Sequence, residues 1–235
     1  MSSNNQTRQC VLLIGASRGL GYALAEEFVK RDWNVIGTVR NPAGTPLHEL
    51  AERFPERVQI ELVDVTSVEQ MVALRARVAD RRLDMLFVNA GVTNDPRETI
   101  GEVSTDEFYR VMVTNALGPI RAVELFCDLV AEDGLIGVMS SGQGSVTNNT
   151  NGQRELYRGS KAALNMFMRS FAARHAADQR AMVLMAPGWV RTDLGGPDAR
   201  LTIEESIPNV VNTLLAARST PGLRYLDYLG RVVPW

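Results

Sequence analysis

Cysteine is scarce in this 235-residue chain, with only Cys10 and Cys127. Two thiols cannot build a disulfide framework, and their usage fits a reducing cytoplasm. Histidine is equally scarce, limited to His48 and His175. Neither residue type shows metal-ligand spacing, so no metal is expected. A Ser-His-Asp hydrolase is a poor reading, because there is no G-x-S-x-G elbow and both histidines fall in helical patterns suited to surface roles. Excess charge is missing as well: 25 Lys and Arg against 27 Asp and Glu leave a formal charge of −2. Without a basic surplus to neutralise a phosphate backbone, no nucleic-acid partner is expected. Long apolar runs are absent too. The run Cys10–Ile14 is far too short to span a bilayer and lacks a signal cleavage region, so no membrane partner is expected.

The apolar share is 45% and the charged share 22%, which excludes the composition of disordered chains. A chain of this length can hold its core in one domain, residues 1–235, with the polar residues 1–9 as a flexible lead. Strand and helix patterns alternate throughout. Strands are expected at 10–14, 34–39, 58–63, 84–88, 134–140, 181–185 and 225–229. Helices are expected at 20–30, 47–54, 68–79, 156–177 and 203–217, with a long helical region over 105–131 bent at Gly118-Pro119. Ser67 is placed to cap the helix that follows it. This pattern predicts an α/β doubly wound Rossmann-type parallel sheet of about seven strands, with helices on both faces and right-handed crossovers.

The first strand runs into Gly15-Ala-Ser17-Arg18-Gly19-Leu20-Gly21, which opens the first helix. Glycines serve where the chain turns with positive φ or where a pyrophosphate approaches the main chain. The helix N-terminus offers free N–H groups to that phosphate. The spacing G-x-x-x-G-x-G departs from the G-x-G-x-x-G fingerprint, and a tight turn with glycines for packing is the plain alternative. An NAD-type site places an acid at the end of the second strand. Here that strand ends Thr38-Val39-Arg40-Asn41. Arg40 is placed to fork onto a 2′-phosphate, and Arg18 can join it, so NADP(H) is expected over NAD(H). A solvated loop arginine is the competing reading of Arg40.

Tyr157 and Lys161 stand at i and i+4, on one helix face. A phenol with an ordinary pKa of about 10 is a weak base at neutral pH, and a nearby ammonium favours its ionised form. Tyr157 can then exchange a proton with a carbonyl or alcohol oxygen. Alone, Tyr-x-x-x-Lys is a common chance spacing.

The combination is specific. Gly15-x-x-x-Gly19-x-Gly21, Asn89-Ala90-Gly91, Asn115, Ser140-Ser141-x-x-Gly144, Tyr157-x-x-x-Lys161 and Pro187-Gly188 with Thr192 occur in this order. The chain thereby resembles the short-chain dehydrogenase/reductase family over nearly its whole length. Its compact size and the ending Gly230-Arg-Val-Val-Pro-Trp235 resemble the C-factor/sniffer-type carbonyl reductase branch. The resemblance implies Tyr157 as general acid/base and Lys161 as its pKa-lowering, ribose-binding neighbour. It implies Ser141 as the group that orients the substrate oxygen, with Ser140 the nearest rival for that role. Asn115 would hold a water in a proton relay. Asp64 and Val65 match the family's adenine-binding pair. Asn89, Ala90 and Gly91 would line the cofactor. Pro187, Gly188, Val190 and Thr192 would hold the nicotinamide end. Ile14 departs from the family's usual Thr, which removes a local hydrogen bond at the glycine turn.

Family members commonly associate through the helices that carry Asn115 and Tyr157, so a homo-oligomer, dimer or tetramer, is expected. The implied partner is a small carbonyl or alcohol substrate. Its pocket is expected to be open, formed by the short loop after Thr192, segment 147–155, Trp189 and the loop after Gly91. A non-catalytic dinucleotide-binding signalling protein is the alternative, and the intact set of Asn115, Ser141, Tyr157 and Lys161 argues against it.

Overall fold

The computed structural model describes residues 8–235. Of the expected flexible lead, residues 1–7 lie outside the described residues. Arg8 and Gln9 are placed: the Arg8 guanidinium meets Asp32, and the Gln9 carbonyl accepts the Asn34 N–H at 2.8 Å.

Seven parallel strands form one sheet in the order β3-β2-β1-β4-β5-β6-β7. They are β1 (Cys10–Ile14), β2 (Asn34–Val39), β3 (Val58–Leu62), β4 (Leu83–Val88), β5 (Val130–Met139), β6 (Ala181–Ala186) and β7 (Gly222–Asp227). The helices are α1 (Gly19–Lys30), α2 (Pro46–Arg53), α3 (Val68–Arg77), α4 (Thr105–Met112), α5 (Gly118–Phe126), α6 (Glu155–Arg174) and α7 (Ile203–Ala217). No described helix is long and apolar enough to cross a membrane.

The continuous apolar runs follow from burial on both faces. In β1, Val11 and Leu13 join the core beneath α1, α2 and α7, while Leu12 and Ile14 join the core beneath α3, α5 and α6. Alternation of side chains across the pleat assigns each residue to its layer. Ser67 caps α3 by accepting the Gln70 N–H. The strand order reverses between β1 and β4, and this opens a crevice at their C-terminal ends. Gly15, Asn89 and Ser141 all lie just past such strand ends.

The expected long helix over 105–131 is broken. A π-helical turn, Val113–Leu117, separates α4 from α5, so the irregularity begins before the expected bend at Gly118-Pro119. Pro119 fits the first turn of α5, where its missing N–H costs nothing. A Cβ on Gly118 would lie 2.7 Å from the Val65 carbonyl oxygen, so glycine lets α5 approach the end of β3. Val130 and Ala131 begin β5 rather than ending a helix, because Val130 pairs with Leu83 ahead of a register shift. The apolar run Leu129-Val130-Ala131 suits either state, and sheet pairing decides it. Likewise β7 occupies 222–227 rather than 225–229, because it pairs with the whole of β6 and then turns, so that Val232 bridges back to Leu226.

Phe28 is fully buried in the core that α1 and α7 share with the sheet. Phe28→Ala should destabilise by about 3–5 kcal/mol, which lowers the melting temperature by roughly 6–20 °C on thermal unfolding.

Candidate active site

The glycine turn is held from two strands. The Gly15 N–H donates to Thr38 Oγ1 at 2.9 Å, and the Ala16 N–H to the Thr38 carbonyl at 2.8 Å. Thr38 of β2 thus reaches the turn with a hydroxyl, beside the position where Ile14 lacks one. From β4, the Asn89 side chain donates to the Gly15 carbonyl at 2.8 Å, and the Asn89 and Ala90 N–H groups both reach the Ile14 carbonyl. A Cβ on Gly21 would sit 2.0 Å from the Gly15 oxygen, so only glycine fits there. Arg18 precedes α1 without capping it, and the turn's first helical bond runs from Tyr22 N–H to the Arg18 carbonyl. The N–H groups of Gly19, Leu20 and Gly21 therefore precede the first bonded position of the helix. Of these, Gly19 and Leu20 line a cleft of about 1390 Å³ together with Ser17 and Arg18, while Gly21 is buried behind the turn.

One end of the cleft holds Arg40, Asp64 and Val65. Burial pulls Asp64 up, but hydrogen bonds from the Thr66 N–H and hydroxyl outweigh it, and Arg40 adds a favourable charge, so the carboxyl lies below its ordinary range. Arg18 does not join Arg40. It forms an exposed ion pair with Asp193 at 2.9 Å, across the cleft. Exposed pairs of this kind contribute little.

The other end gathers Ser141, Tyr157 and Lys161. Helical spacing does place Tyr157 and Lys161 on one face, and both are buried. The ammonium lies 5.9 Å from the centre of the Tyr157 ring and donates to the Met139 carbonyl at 2.8 Å. Burial lowers Lys161 to about 8. Burial also pushes the Tyr157 phenol above its ordinary value, and Ser141, with Arg154 at longer range, only partly opposes this. The expected lowering of the phenol by Lys161 is not a property of this chain by itself: the ammonium is spent on a backbone carbonyl, and desolvation dominates.

Ser140 and Ser141 separate clearly. The buried Ser140 hydroxyl donates to Asn165 Oδ1 at 2.6 Å, and Asn165 Nδ2 donates to the Gly144 carbonyl at 3.2 Å. Ser141 is left beside Tyr157, its hydroxyl accepting the Gln143 N–H at 3.1 Å. The Tyr225 hydroxyl donates to the Ser141 carbonyl. Asn165 and Tyr225 thus brace the serine loop, and sequence reading missed both. Asn165 did leave a signal, as a polar residue on the buried stripe of α6, one turn beyond Lys161.

Asn115 is fully buried within the π-helical turn. Its Oδ1 accepts the Val92 N–H and its Nδ2 donates to the Val92 carbonyl, both at 2.8 Å, and to Ser160 Oγ at 3.0 Å. It fastens the Asn89-Ala90-Gly91 loop to α6. A Cβ on Gly91 would lie 3.4 Å from Asn115 Oδ1 and 3.5 Å from Lys161 Nζ, which shows how tightly the three converge. Beyond β6, Gly188 turns with φ of +86°. The Ser206 hydroxyl holds the Pro187 carbonyl at 2.7 Å, Thr192 Oγ1 accepts the Gly195 N–H at 3.0 Å, and Val190 bridges to Leu201. All four expected residues of this segment line the cleft. So do Trp189 and Asn148, together with Tyr228 and Arg231 from the C-terminal segment, which the sequence did not point to. Trp235 packs against its own Tyr225, with Arg169 over its ring. Cys10 and Cys127 are free thiols, both pushed up by burial.

The Lys161 ammonium makes a pH-dependent stability term. Its pKa falls from 10.5 to about 8 on folding, a difference worth roughly 3 kcal/mol. Between those values the unfolded chain binds more protons, so the cost is complete below the folded value and fades as pH rises to the unfolded one. Relative to Lys161→Met, the wild-type melting temperature should therefore rise between pH 8 and 10.5, by roughly 6–12 °C. Parallel melting curves across that range check it.

The family model for short chain dehydrogenases matches residues 9–200. The C-signal protein of Myxococcus xanthus is 35% identical over 167 residues, 70% of this chain and 100% of that protein. A Burkholderia multivorans structure, described as a short-chain dehydrogenase/reductase with bound NADP, is 65% identical with a TM-score of 0.95, covering 97% of this chain and 100% of that one. A carbonyl reductase from Pseudomonas aeruginosa in complex with NADP is 31% identical with a TM-score of 0.86, over the same shares of the two chains. The C-signal protein and the carbonyl reductase agree with the likeness to the C-factor/sniffer-type branch. On its matched sequence and on the order of its motifs along one doubly wound sheet, the chain belongs to the short-chain dehydrogenase/reductase family of oxidoreductases.

Proposed function

We propose that this chain is an NADP(H)-dependent carbonyl reductase that moves a hydride between the nicotinamide and the carbon of a small carbonyl or alcohol substrate. The carrying observation is the polarity of one cleft. Arg40, whose guanidinium has no bonded partner among the described residues, lies at one end, and the buried Tyr157 and Lys161 lie with the half-buried Ser141 at the other. The glycine turn lies between them, so a dinucleotide laid along it fits both ends. Solved neighbours with bound NADP, one of them a carbonyl reductase, support the same reading.

The cofactor supplies the hydride and, once oxidised, a positive ring. The chain supplies position and protons. The Ser141 hydroxyl orients the carbonyl oxygen, and the Tyr157 O–H donates to that oxygen as the carbon is reduced. Burial favours the protonated phenol, which suits it to act as the acid in this direction. Lys161 holds the ribose and supports the phenolate that forms. The Asn115 side chain is committed to Val92 and Ser160, so its main-chain carbonyl is the acceptor left for a water leading to Lys161. In the same reading the protein works in the cytoplasm as a homo-oligomer. The exposed Phe108 and Tyr109 of α4, with Met166 and Phe167 of α6, supply apolar surface on the helices that would meet.

Tyr157→Phe should lose carbonyl-dependent NADPH oxidation by at least about 100-fold, the scale of general acid catalysis, while NADPH still raises its melting temperature. Full turnover in that variant would refute the mechanism, and no turnover of any carbonyl by the wild type would favour a binding role. Arg40→Asp should weaken NADPH by roughly 10- to 150-fold and NADH far less, as read by titration of each. Equal weakening would remove Arg40 from the 2′-phosphate.

A further inference from the structure

Arg18, Arg40, Arg110, Arg154 and Arg231 line the cleft. Three are committed to carboxylates: Arg18 to Asp193 at 2.9 Å, Arg110 to Glu107 at 2.6 Å and Arg231 to Asp227 at 2.7 Å. Among the described residues, the guanidinium groups of Arg40 and Arg154 have neither an ion-pair nor a hydrogen-bond partner. A guanidinium placed in a cleft without a carboxylate is matched to an incoming anion. Arg40 serves the cofactor end. Arg154 stands at the opposite end, three residues before Tyr157, and its charge reaches the Tyr157 phenol.

The backbone singles out the same residue. Arg154 adopts φ 58° and ψ 43°, the left-handed region, immediately before α6. Among described non-glycine residues only Asp32 shares a positive φ. Gly152, two residues before, also has positive φ, so this segment uses glycine for that geometry elsewhere. An arginine kept where glycine is easier marks a position held for its side chain. No carboxylate among the described residues pairs with it. The adjacent Glu155 carboxylate is turned to the Ile100 N–H at 2.9 Å. The acids lining the cleft are Asp64 at the Arg40 end and Asp193 and Asp227, already paired. The Tyr157 end therefore carries Lys161 and Arg154 without a compensating carboxylate.

We propose that Arg154 sets substrate specificity by binding a carboxylate, or a like anionic group, that the carbonyl substrate carries away from its reacting carbon. The inference rests on the carbonyl reading above and leaves its chemistry unchanged: hydride to carbon, proton from Tyr157 to oxygen. It narrows the substrates to oxo acids and aldehyde acids within an otherwise open cleft.

The test compares NADPH-dependent reduction of 4-formylbenzoate and of its methyl ester by wild type, Arg154→Gln and Arg154→Lys. The ratio of kcat/KM for acid over ester cancels the intrinsic reactivity of each aldehyde between enzymes. It also cancels the lost influence on Tyr157 between substrates. The ratio should fall about tenfold or more in Arg154→Gln, the scale of a charged hydrogen bond, and recover in part in Arg154→Lys. A ratio unchanged within about twofold by Arg154→Gln overturns the proposal on that same scale. A second measurement needs no turnover: calorimetric binding of 4-(hydroxymethyl)benzoate and of the matching benzamide to protein with NADP+. Benzoate binding that is tighter than benzamide binding in wild type, with the difference lost in Arg154→Gln, supports the anion site even if neither aldehyde is reduced. Absence of reduction across a wider panel of aldehydes and ketones would then sink the carbonyl reading alone. Equal binding of the two compounds by wild type overturns the anion site.

Discussion

The hydrogen bond from the Asn89 side chain to the Gly15 carbonyl fixes the geometry on which the site depends. It joins the ends of β1 and β4 where the strand order reverses, which is where the sheet opens. With Thr38 holding the other side of the turn, Gly15 is fastened from both neighbouring strands. Gly21 closes onto the same carbonyl so tightly that no side chain fits. The start of α1 is therefore set by the sheet, ahead of its first bonded N–H at Tyr22. Donors ordered in this way would lose little entropy on meeting an anion.

The Tyr157 end follows the same logic at higher electrostatic cost. Lys161 is buried and held by the Met139 carbonyl, and Tyr157 is buried with its phenol pushed up. The buried ammonium opposes folding at neutral pH, whereas the phenol stays protonated there and opposes it only in alkali. Both arrangements place titratable groups where a ligand's charge acts with little screening. Asn165 and Tyr225 carry no reacting atom, yet they hold the two ends of the serine loop through side-chain-to-backbone bonds. Asn115 does the same for the loop after β4. Three amide or phenol side chains thus immobilise the segments that carry Ser141 and Gly91.

Much of this was legible in the residues. Apolar runs such as Cys10–Ile14 and Ala181–Ala186 mark strands buried on both faces, and helical stripes such as 203–217 keep their periods to the end. The long region after Thr105 was not legible in the same way. Leu129-Val130-Ala131 suits a helix or a strand, and only the partner Leu83 decides between them. Within the π-helical turn Asn115 is bonded to Val92, a contact across 23 positions that the local sequence does not reveal. Tyr228 and Arg231 entered the cleft wall because the chain doubles back after β7, which no local pattern announces.

The sequence by itself determined the strand-helix alternation, the parallel sheet, the glycine turn and the Tyr157–Lys161 spacing, because each rests on a local period or a local conformational need. The tertiary structure alone decided which charges are committed. Arg18 is paired across the cleft with Asp193, 175 positions away, while Lys161 is turned onto Met139 and Arg154 has no carboxylate partner among the described residues. Charge is counted along a chain, but its partners are set by distance in space, and the balance of desolvation against pairing exists only once the chain is folded.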